Sequence, residues 1–319
     1  MRIATLQFFP ALGAVEANIH RANTILAAAD LTHVDLLVLP ELAFSGYNFP
    51  SLEAIEPFLE PTTAGISTQW AIATARRLSC HIIVGYPERD TSRGTEVNYN
   101  ATVTVSPTGE VLANYRKSFL YYTDDKWAAE GTWTPLTTAR AEPFFREPLG
   151  TLGLVGHGIC MDINPYAFTA PWTAYEFATA MLKAEVPLVV LSMAWLTRLS
   201  EEELQDGAEQ PDMATVAYWV ERLCPLVESK GEVVVVFANR CGVESNVVGV
   251  KDKDDGVVEG EGEAACYAGS SCVMRFRDGK TEMLETNRHE AAIMGKGEEG
   301  VLIVDTQQST RFVMRRTAT

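Results

Sequence analysis

Short, almost unbroken apolar runs alternate along this chain with stretches in which apolar residues recur every three or four positions. Runs of the first kind read as strands buried on both faces, and stretches of the second kind as helices with one face on a core. Residues 1–9 predict a first strand and residues 18–29 (NIHRANTILAAA) a helix. Residues 35–40 are a buried strand stopped by Pro40, with Glu41 immediately after and a Gly-, Tyr- and Asn-rich loop beyond. A second helix is predicted over 67–78, with Ser67 at its N-cap position. Strands over 81–86, 101–105 and 110–115 follow; Pro107-Thr108-Gly109 turns the last two into a hairpin that delivers Arg116 and Lys117. An aromatic loop without clear period runs from 119 to 138, of a length that is usually functional in compact domains.

The run from Gly153 to Ile159 is the one around which the rest is arranged, because it ends abruptly at Cys160, ahead of polar residues and Pro165. Beyond it come a helix over 173–183, a buried strand over 186–193 ending in Ala194-Trp195, and an exposed acidic excursion over 199–212. A helix over 214–228, a strand over 233–238 followed by Asn239-Arg240, a solvated loop over 251–263, and strands over 269–275 and 300–305 complete the chain. Strands interleaved with helices imply stacked α/β layers, and the hairpins imply a mixed sheet. Nothing in the sequence marks an internal domain boundary.

Composition narrows the function classes. With 319 residues and 47% hydrophobic content, the chain can bury a large core. A formal net charge of −16 argues against nucleic-acid binding, which depends on clustered Lys and Arg. The same acidity reads first as solubility, and second as a field that draws in a cationic substrate group. No apolar run is long enough to span a bilayer. The six cysteines are scattered, and the first nine residues read as a strand, which leaves no room for a secretory signal. Reduced thiols in a cytoplasmic protein are therefore expected. No cofactor is called for. Cys266 and Cys272 have no second pair or histidine at zinc spacing, so no structural metal is expected.

A lone buried cysteine is commonly a small hydrophobe. It becomes a nucleophile only beside a base or a cation. His157 is a poor partner for Cys160, because side chains three apart on a strand point to opposite faces. Glu41 and Lys117 share the position of Cys160, each just past the end of a strand. Converged at one sheet edge, the carboxylate could take the thiol proton and the ammonium could stabilise an oxyanion.

Pro40-Glu41-Leu42-Ala43-Phe44-Ser45-Gly46, Tyr115-Arg116-Lys117 and Gly158-Ile159-Cys160-Met161-Asp162 resemble the three signatures of the nitrilase superfamily, the carbon-nitrogen hydrolases with a Glu-Lys-Cys triad. Asn100, Ala194-Trp195, Asn239-Arg240 and Gly269-Ser270-Ser271 fall where recurrent residues of that family lie. The resemblance implies a single domain over 1–319 with a four-layer α-β-β-α sandwich, and a catalytic set of Glu41, Lys117 and Cys160. It further implies a second glutamate supporting the lysine, best matched by Glu130, and an oxyanion donor in the backbone N–H of Met161.

One departure is informative. Many relatives follow the cysteine with Asp-x-Arg-Phe-Pro-Glu, whereas this chain carries residues 162–172 (DINPYAFTAPW) before the helix with Glu176. Together with LAFSGYNFPSLE, YRKSFLYYTD, SMAWL and NRCGVE, that insert resembles the protein N-terminal amidase branch, best known in fungi. This implies deamidation of N-terminal Asn and Gln on polypeptides in an N-degron pathway, with protein N-termini as partners. Self-association, frequent in the superfamily, is compatible with it. An acidic group must then meet the substrate α-ammonium, and Asp162 and Asp124 are the candidates, although either could be structural. Tyr47, Phe119, Tyr122, Trp172 and Trp195 are candidate walls, Tyr122 and Trp195 foremost. The competing readings are a small-molecule amidase of the same superfamily, acting on ω-amides or carbamoyl amino acids, and a binding protein that keeps the fold without the chemistry.

Overall fold

Strands β1 (Arg2–Gln7), β2 (Leu36–Val38), β3 (Glu60–Pro61), β4 (His81–Asp90), β5 (Val97–Val105) and β6 (Val111–Arg116) make the first half of the chain, in a computed structural model that describes residues 1–134, 140–244, 264–287 and 292–314. They are followed by β7 (Phe145–Pro148), β8 (Leu154–Ile159), β9 (Leu188–Met193), β10 (Val233–Asn239), β11 (Cys241–Glu244) and β12 (Ala265–Ala268). The last four are β13 (Cys272–Arg277), β14 (Lys280–Leu284), β15 (Gly300–Asp305) and β16 (Thr310–Met314). The helices are α1 (Val15–Ala27), α2 (Leu52–Ile55), α3 (Ile66–Leu78), α4 (Glu176–Lys183), α5 (Glu201–Gln205), α6 (Met213–Arg222) and α7 (Cys224–Val227).

Two large mixed sheets share one plan. In the first, β1, β2 and β4 run parallel, β15 adds antiparallel to β1, and β5 and β6 extend β4 as a meander. In the second, β8, β9 and β10 run parallel, with β7 antiparallel on one side and β13, β14 and β16 on the other.

Alternation within the strands shows how the sheets stack. Ile3, Leu36, Val38 and Ile83 pack into a core shared with the second sheet, whereas Ala4, Leu6, Leu37, Ile82 and Val84 pack against α1 and α3. The far face of the second sheet is covered by α4, α6 and α7, through Phe177, Met181, Val216, Trp219 and Leu226. The order is helix, sheet, sheet, helix, the four-layer sandwich that the family resemblance implies. Because β6 runs antiparallel to β5, and β5 to β4, β6 ends at the same sheet edge as β2. That edge receives Glu41 and Lys117.

Several boundaries differ from the sequence reading, each for a local reason. Ser67 does not cap α3; it lies inside the helix, and its hydroxyl donates to Glu60 at 2.6 Å. The helix expected over 214–228 breaks at Leu223, because Pro225 has no N–H to give and its ring crowds the preceding turn. The strand expected from Gly269 starts at Cys272, since Gly269 (φ 52°) and Ser270 (φ 59°) are left-handed. The acidic stretch 199–212 contains α5, closed by a Ser200–Glu203 capping box, and Asp212 caps α6. The loop 251–263 and residues 135–138 of the aromatic loop lie outside the described residues. Among the described residues no helix is long and apolar enough to cross a membrane, and no disulfide joins any of the six cysteines.

Candidate active site

Glu41 is placed by a tight turn against β4. The amides of Leu39 and Ala43, on either side of it, donate to Ile83 O and Gly85 O at 2.9 Å each. Leu42 adopts φ 43°. A Cβ on Gly85 would lie 2.6 Å from both Leu42 N and Pro40 O, so only glycine lets the turn lie flat on the strand. Lys117 is fixed as it leaves β6: its N–H donates to Asn100 O at 2.8 Å, and its carbonyl accepts from Gly131 N at 2.7 Å.

Cys160 follows β8 directly and opens a short 3₁₀ turn, Cys160–Ile163, with φ 43° at the cysteine itself. A left-handed conformation at a non-glycine residue costs on the order of 1–3 kcal/mol and persists only where its surroundings impose it. Asp162 imposes it here. Its Oδ1 accepts from Ser118 N (3.1 Å) and Phe119 N (2.9 Å), and its Oδ2 from Ile159 N (2.7 Å) and the Tyr115 hydroxyl (2.8 Å). One carboxylate thereby ties the cysteine turn to the segment that follows Lys117.

The polar centre is wholly buried. Lys117 Nζ donates to Glu41 Oε1 and to Asp124 Oδ2, 2.6 Å each, and all three side chains are 0% exposed. Asn100 Nδ2 bridges the same two carboxylates at 2.6 and 3.0 Å. The N–H of Ala194, just past the end of β9 in the other sheet, donates to Glu41 Oε2 at 2.8 Å and lies near enough to the Cys160 thiol to favour its ionised form. Glu41, Lys117 and Cys160 thereby lie within electrostatic reach of one another.

Burial and the neighbouring Glu41 charge hold the Cys160 thiol well above its ordinary pKa, against the pull of Lys117 and the Ala194 N–H. Burial also raises Glu41; Lys117 opposes this and Asp124 adds to it. Burial by itself would lower Lys117, but the Asp124 and Glu41 carboxylates reverse that and hold it firmly cationic. The resting state this describes is a protonated thiol beside a carboxylate made more basic than usual, and a charged ammonium.

The remaining candidates fall differently from the sequence reading. The carboxylate at the lysine is Asp124, returned to it by the 3₁₀ turn Asp124–Lys126; Glu130 is exposed, near Tyr166 instead. Glu130 cannot support the lysine because Gly131, paired with Lys117 through the backbone, directs it to the surface. Both candidates for the α-ammonium are fully buried among donors of the protein itself. Asp162 spends all four lone pairs on the donors given above, and Asp124 is engaged by Lys117, Asn100 and Tyr121 N. Met161 is buried in the cysteine turn. Tyr122 is 63% exposed, while Trp195 is half-buried, 5.4 Å from Tyr218. His157 is packed between Tyr115 and Phe145, and burial pushes it down to about 3. Sequence reasoning did not reach the Ala194 amide, because a backbone donor carries no residue signature.

Two surface hollows lie elsewhere. One of about 660 Å³ opens at the opposite edge of the first sheet, around His33, Asp35 and Arg77, and one of about 480 Å³ lies beside α4. Neither contains the polar centre, and their size says nothing of chemistry.

Residues 2–167 match the carbon-nitrogen hydrolase family, and the chain belongs to that family. Within it, the chain is 36% identical over 296 residues to the protein N-terminal amidase of Schizosaccharomyces pombe, covering 88% of this chain and 93% of that one. It is 31% identical over 217 residues to the protein N-terminal amidase of Saccharomyces cerevisiae, covering 64% of this chain and 47% of the relative. A crystal structure of an N-terminal amidase with an Asn-Glu-Ala peptide has a similar fold, with a TM-score of 0.75 at 21% identity over 99% of both chains.

Proposed function

We propose that this protein hydrolyses the side-chain amide of N-terminal Asn and Gln on polypeptides, releasing ammonia and leaving N-terminal Asp and Glu. The names of the two yeast relatives support that substrate class. The observation that carries the chemistry is the Glu41 carboxylate held between Lys117 Nζ (2.6 Å) and the Ala194 N–H (2.8 Å), with the Cys160 thiol within electrostatic reach of Glu41 and Lys117.

In this reading Glu41 Oε2, with one lone pair beyond the Ala194 bond, takes the Cys160 proton as sulfur attacks the amide carbon. The C–S bond forms, and the negative charge moves to the amide oxygen, held by Lys117 and the Met161 N–H. Glu41 returns the proton to the departing nitrogen, the C–N bond breaks, and ammonia leaves a thioester. Water then gives a proton to Glu41 and attacks the thioester carbon. The C–S bond breaks, and the proton restores the thiol. Asp124 and Asn100 hold Lys117 and Glu41 in register. The raised basicity of Glu41 matches it to a thiol whose own proton is tightly held. An N-degron role and a cytoplasmic setting, where thiols stay reduced, belong to the same proposal.

The test is an Asn-initiated peptide with a free α-amine, run beside its N-acetylated form, free glutamine and a carbamoyl amino acid. Ammonia release, with a peptide mass gain of about one dalton, is expected from the free-amine peptide above all the others. Equal turnover of the acetylated peptide, or faster turnover of either small molecule, overturns the reading.

A further inference from the structure

Glu41 leaves the first sheet and Cys160 the second, so the end of β9 has to be held in register on the Glu41 turn. At this edge Ser192 Oγ donates to Leu39 O at 3.0 Å and Ala194 N to Glu41 Oε2 at 2.8 Å, both buried. Ser192 lies within β9, where the ladder to β10 fixes it, but that ladder ends with Asn239 opposite Met193. The amide that reaches Glu41 therefore begins where strand pairing stops.

Asn239 carries the pairing one step further with its side chain. Its Oδ1 accepts from Trp195 N at 2.7 Å, and its Nδ2 donates to Gly269 O at 2.9 Å and to Trp195 O at 3.3 Å. Trp195 O also accepts from Ala268 N at 2.9 Å, whereas Trp195 N–H is given to Asn239. One side-chain amide thus bonds both backbone polar groups of the residue after Ala194, as a neighbouring strand would. Asn239 is fully buried, where an orphaned N–H costs the whole of its desolvation.

Asn239 is itself held from the far side. Ser271 Oγ accepts from Asn239 N at 3.0 Å and donates to Asn239 O at 3.1 Å, and Ser271 N donates to Gln7 Oε1 at 2.9 Å. Gly269 and Ser270 are left-handed, and a Cβ on Gly269 would lie 2.4 Å from Lys296 O. The turn they make sets Gly269 O on Asn239 Nδ2, which fixes the amide with its oxygen towards Trp195 N. Among the described residues Asn239 makes no hydrogen bond to Glu41, Lys117 or Cys160, so any part it has in the reaction runs through Ala194.

We propose that Asn239 is a positioning residue: by fixing the Trp195 backbone it aims the Ala194 N–H at Glu41 Oε2 and towards Cys160, and so sets how readily base and thiol exchange a proton. This rests on the catalytic reading above and adds a residue to it. A donor aimed at a carboxylate or a thiolate favours the ionised form. Without that aim Glu41 becomes more basic and the Cys160 thiol harder to ionise, so both titrations move up in pH. The other ionisable groups that face Glu41 are Lys117, Asp124, Cys160, Tyr47 and Arg240. Arg240, next to Asn239 in the chain, is held separately by Glu244 and Leu42 O.

The experiment compares wild type with Asn239→Leu, which removes both amide functions at similar size, and Asn239→Ser, which leaves room for water to replace them. On each, kcat and KM for ammonia release from an Asn-initiated peptide are measured across pH. The rise of Cys160 alkylation by iodoacetamide with pH is followed without substrate, by mass at that cysteine, and circular dichroism gives the folded fraction. Asn239→Leu is expected to lower kcat about 10–100-fold while changing KM less than about twofold. It should move both the acid limb of kcat and the alkylation curve up by roughly half a pH unit or more. Asn239→Ser should show the same shifts at smaller size. Curves that stay in place or move down, with the rate loss explained by a smaller folded fraction, overturn the proposal and leave Asn239 a structural residue. If wild type releases no ammonia from the peptide while the alkylation curve still moves up in the variants, the deamidation reading falls and the positioning role stands.

Discussion

Tyr47 stands between two buried ion clusters. Its ring lies 5.7 Å from Lys117 Nζ, in the cluster of Glu41, Lys117 and Asp124. Its backbone N–H donates to Glu244, in a cluster with Arg240 and the Tyr267 hydroxyl. Both clusters are buried and each contains a single cation, but they are composed differently. The second pairs one acid with one base and saturates the acid with two backbone amides, a hydroxyl and a guanidinium. Its planar cation stacks 5.0 Å from Tyr267 and cannot change protonation state. The first places two carboxylates on one ammonium, leaves Glu41 more basic than usual, and sets an unreacted thiol beside it. An ion cluster that holds a loop is balanced and complete, whereas one that moves a proton retains an acceptor with unused capacity.

The largest effect expected is from Cys160→Ala, which should lower ammonia release from an Asn-initiated peptide by at least about 10⁴-fold while the fold survives. Ordinary turnover by that variant, measured on protein of unchanged circular dichroism, would remove sulfur from the mechanism. Next, Glu41→Gln should cost about 10²–10⁴-fold in kcat, with the smaller stability loss of the two clusters, because Lys117 keeps Asp124. The wild-type rate should also fall with acidification at a pH above the ordinary glutamate range, since Glu41 must be ionised to accept the proton and its pKa is raised. A pH profile flat through that region would deny Glu41 the role of base.

Glu244→Gln should do the reverse of Glu41→Gln. It strands the buried Arg240 charge, costs about 3–5 kcal/mol in denaturant unfolding, and reduces kcat less than Glu41→Gln does. If the two glutamine variants lose rate and stability in the same proportion, the clusters do not differ in kind.

The smallest effect concerns His157, whose burial among Tyr115 and Phe145 lowers it to about 3 from an unfolded value of 6.5. The unfolded chain takes up that proton first, so the stability from keeping this ring neutral is complete above about pH 6.5 and is lost as pH falls towards 3. His157→Leu should flatten the fall in Tm across that window. Asp162, raised by burial to about 6, acts with the opposite sign between the ordinary carboxylate range and pH 6, and is common to both proteins. Identical acid slopes for wild type and His157→Leu would show that the imidazole is charged or solvated in the fold.

Much of this arrangement was written in local patterns. The apolar runs ending at Pro40 and Ile159, and the hairpin turn at Gly109 (φ 84°), mark where three strands stop, and the residues just past those stops are Glu41, Lys117 and Cys160. Strand ends are legible because period and turn chemistry are properties of neighbours in the chain. Other features lay beyond that reach. Short edge strands such as β7 and β16 lack a buried apolar run, and β16 carries the exposed Phe312.

The same division explains the acidic residues. Residue type and local spacing settle which side chains can do chemistry and that they sit at strand ends. Only the packed sheets decided that Asp124 meets Lys117, that Asp162 is consumed by Tyr115 and three amides, and that Glu130 faces outward. A carboxylate is defined by its donors, and those donors come from distant segments: Ala194 N reaches Glu41 across 153 positions of the chain. Hydrogen-bond satisfaction is a property of the folded whole, so no local pattern can record it.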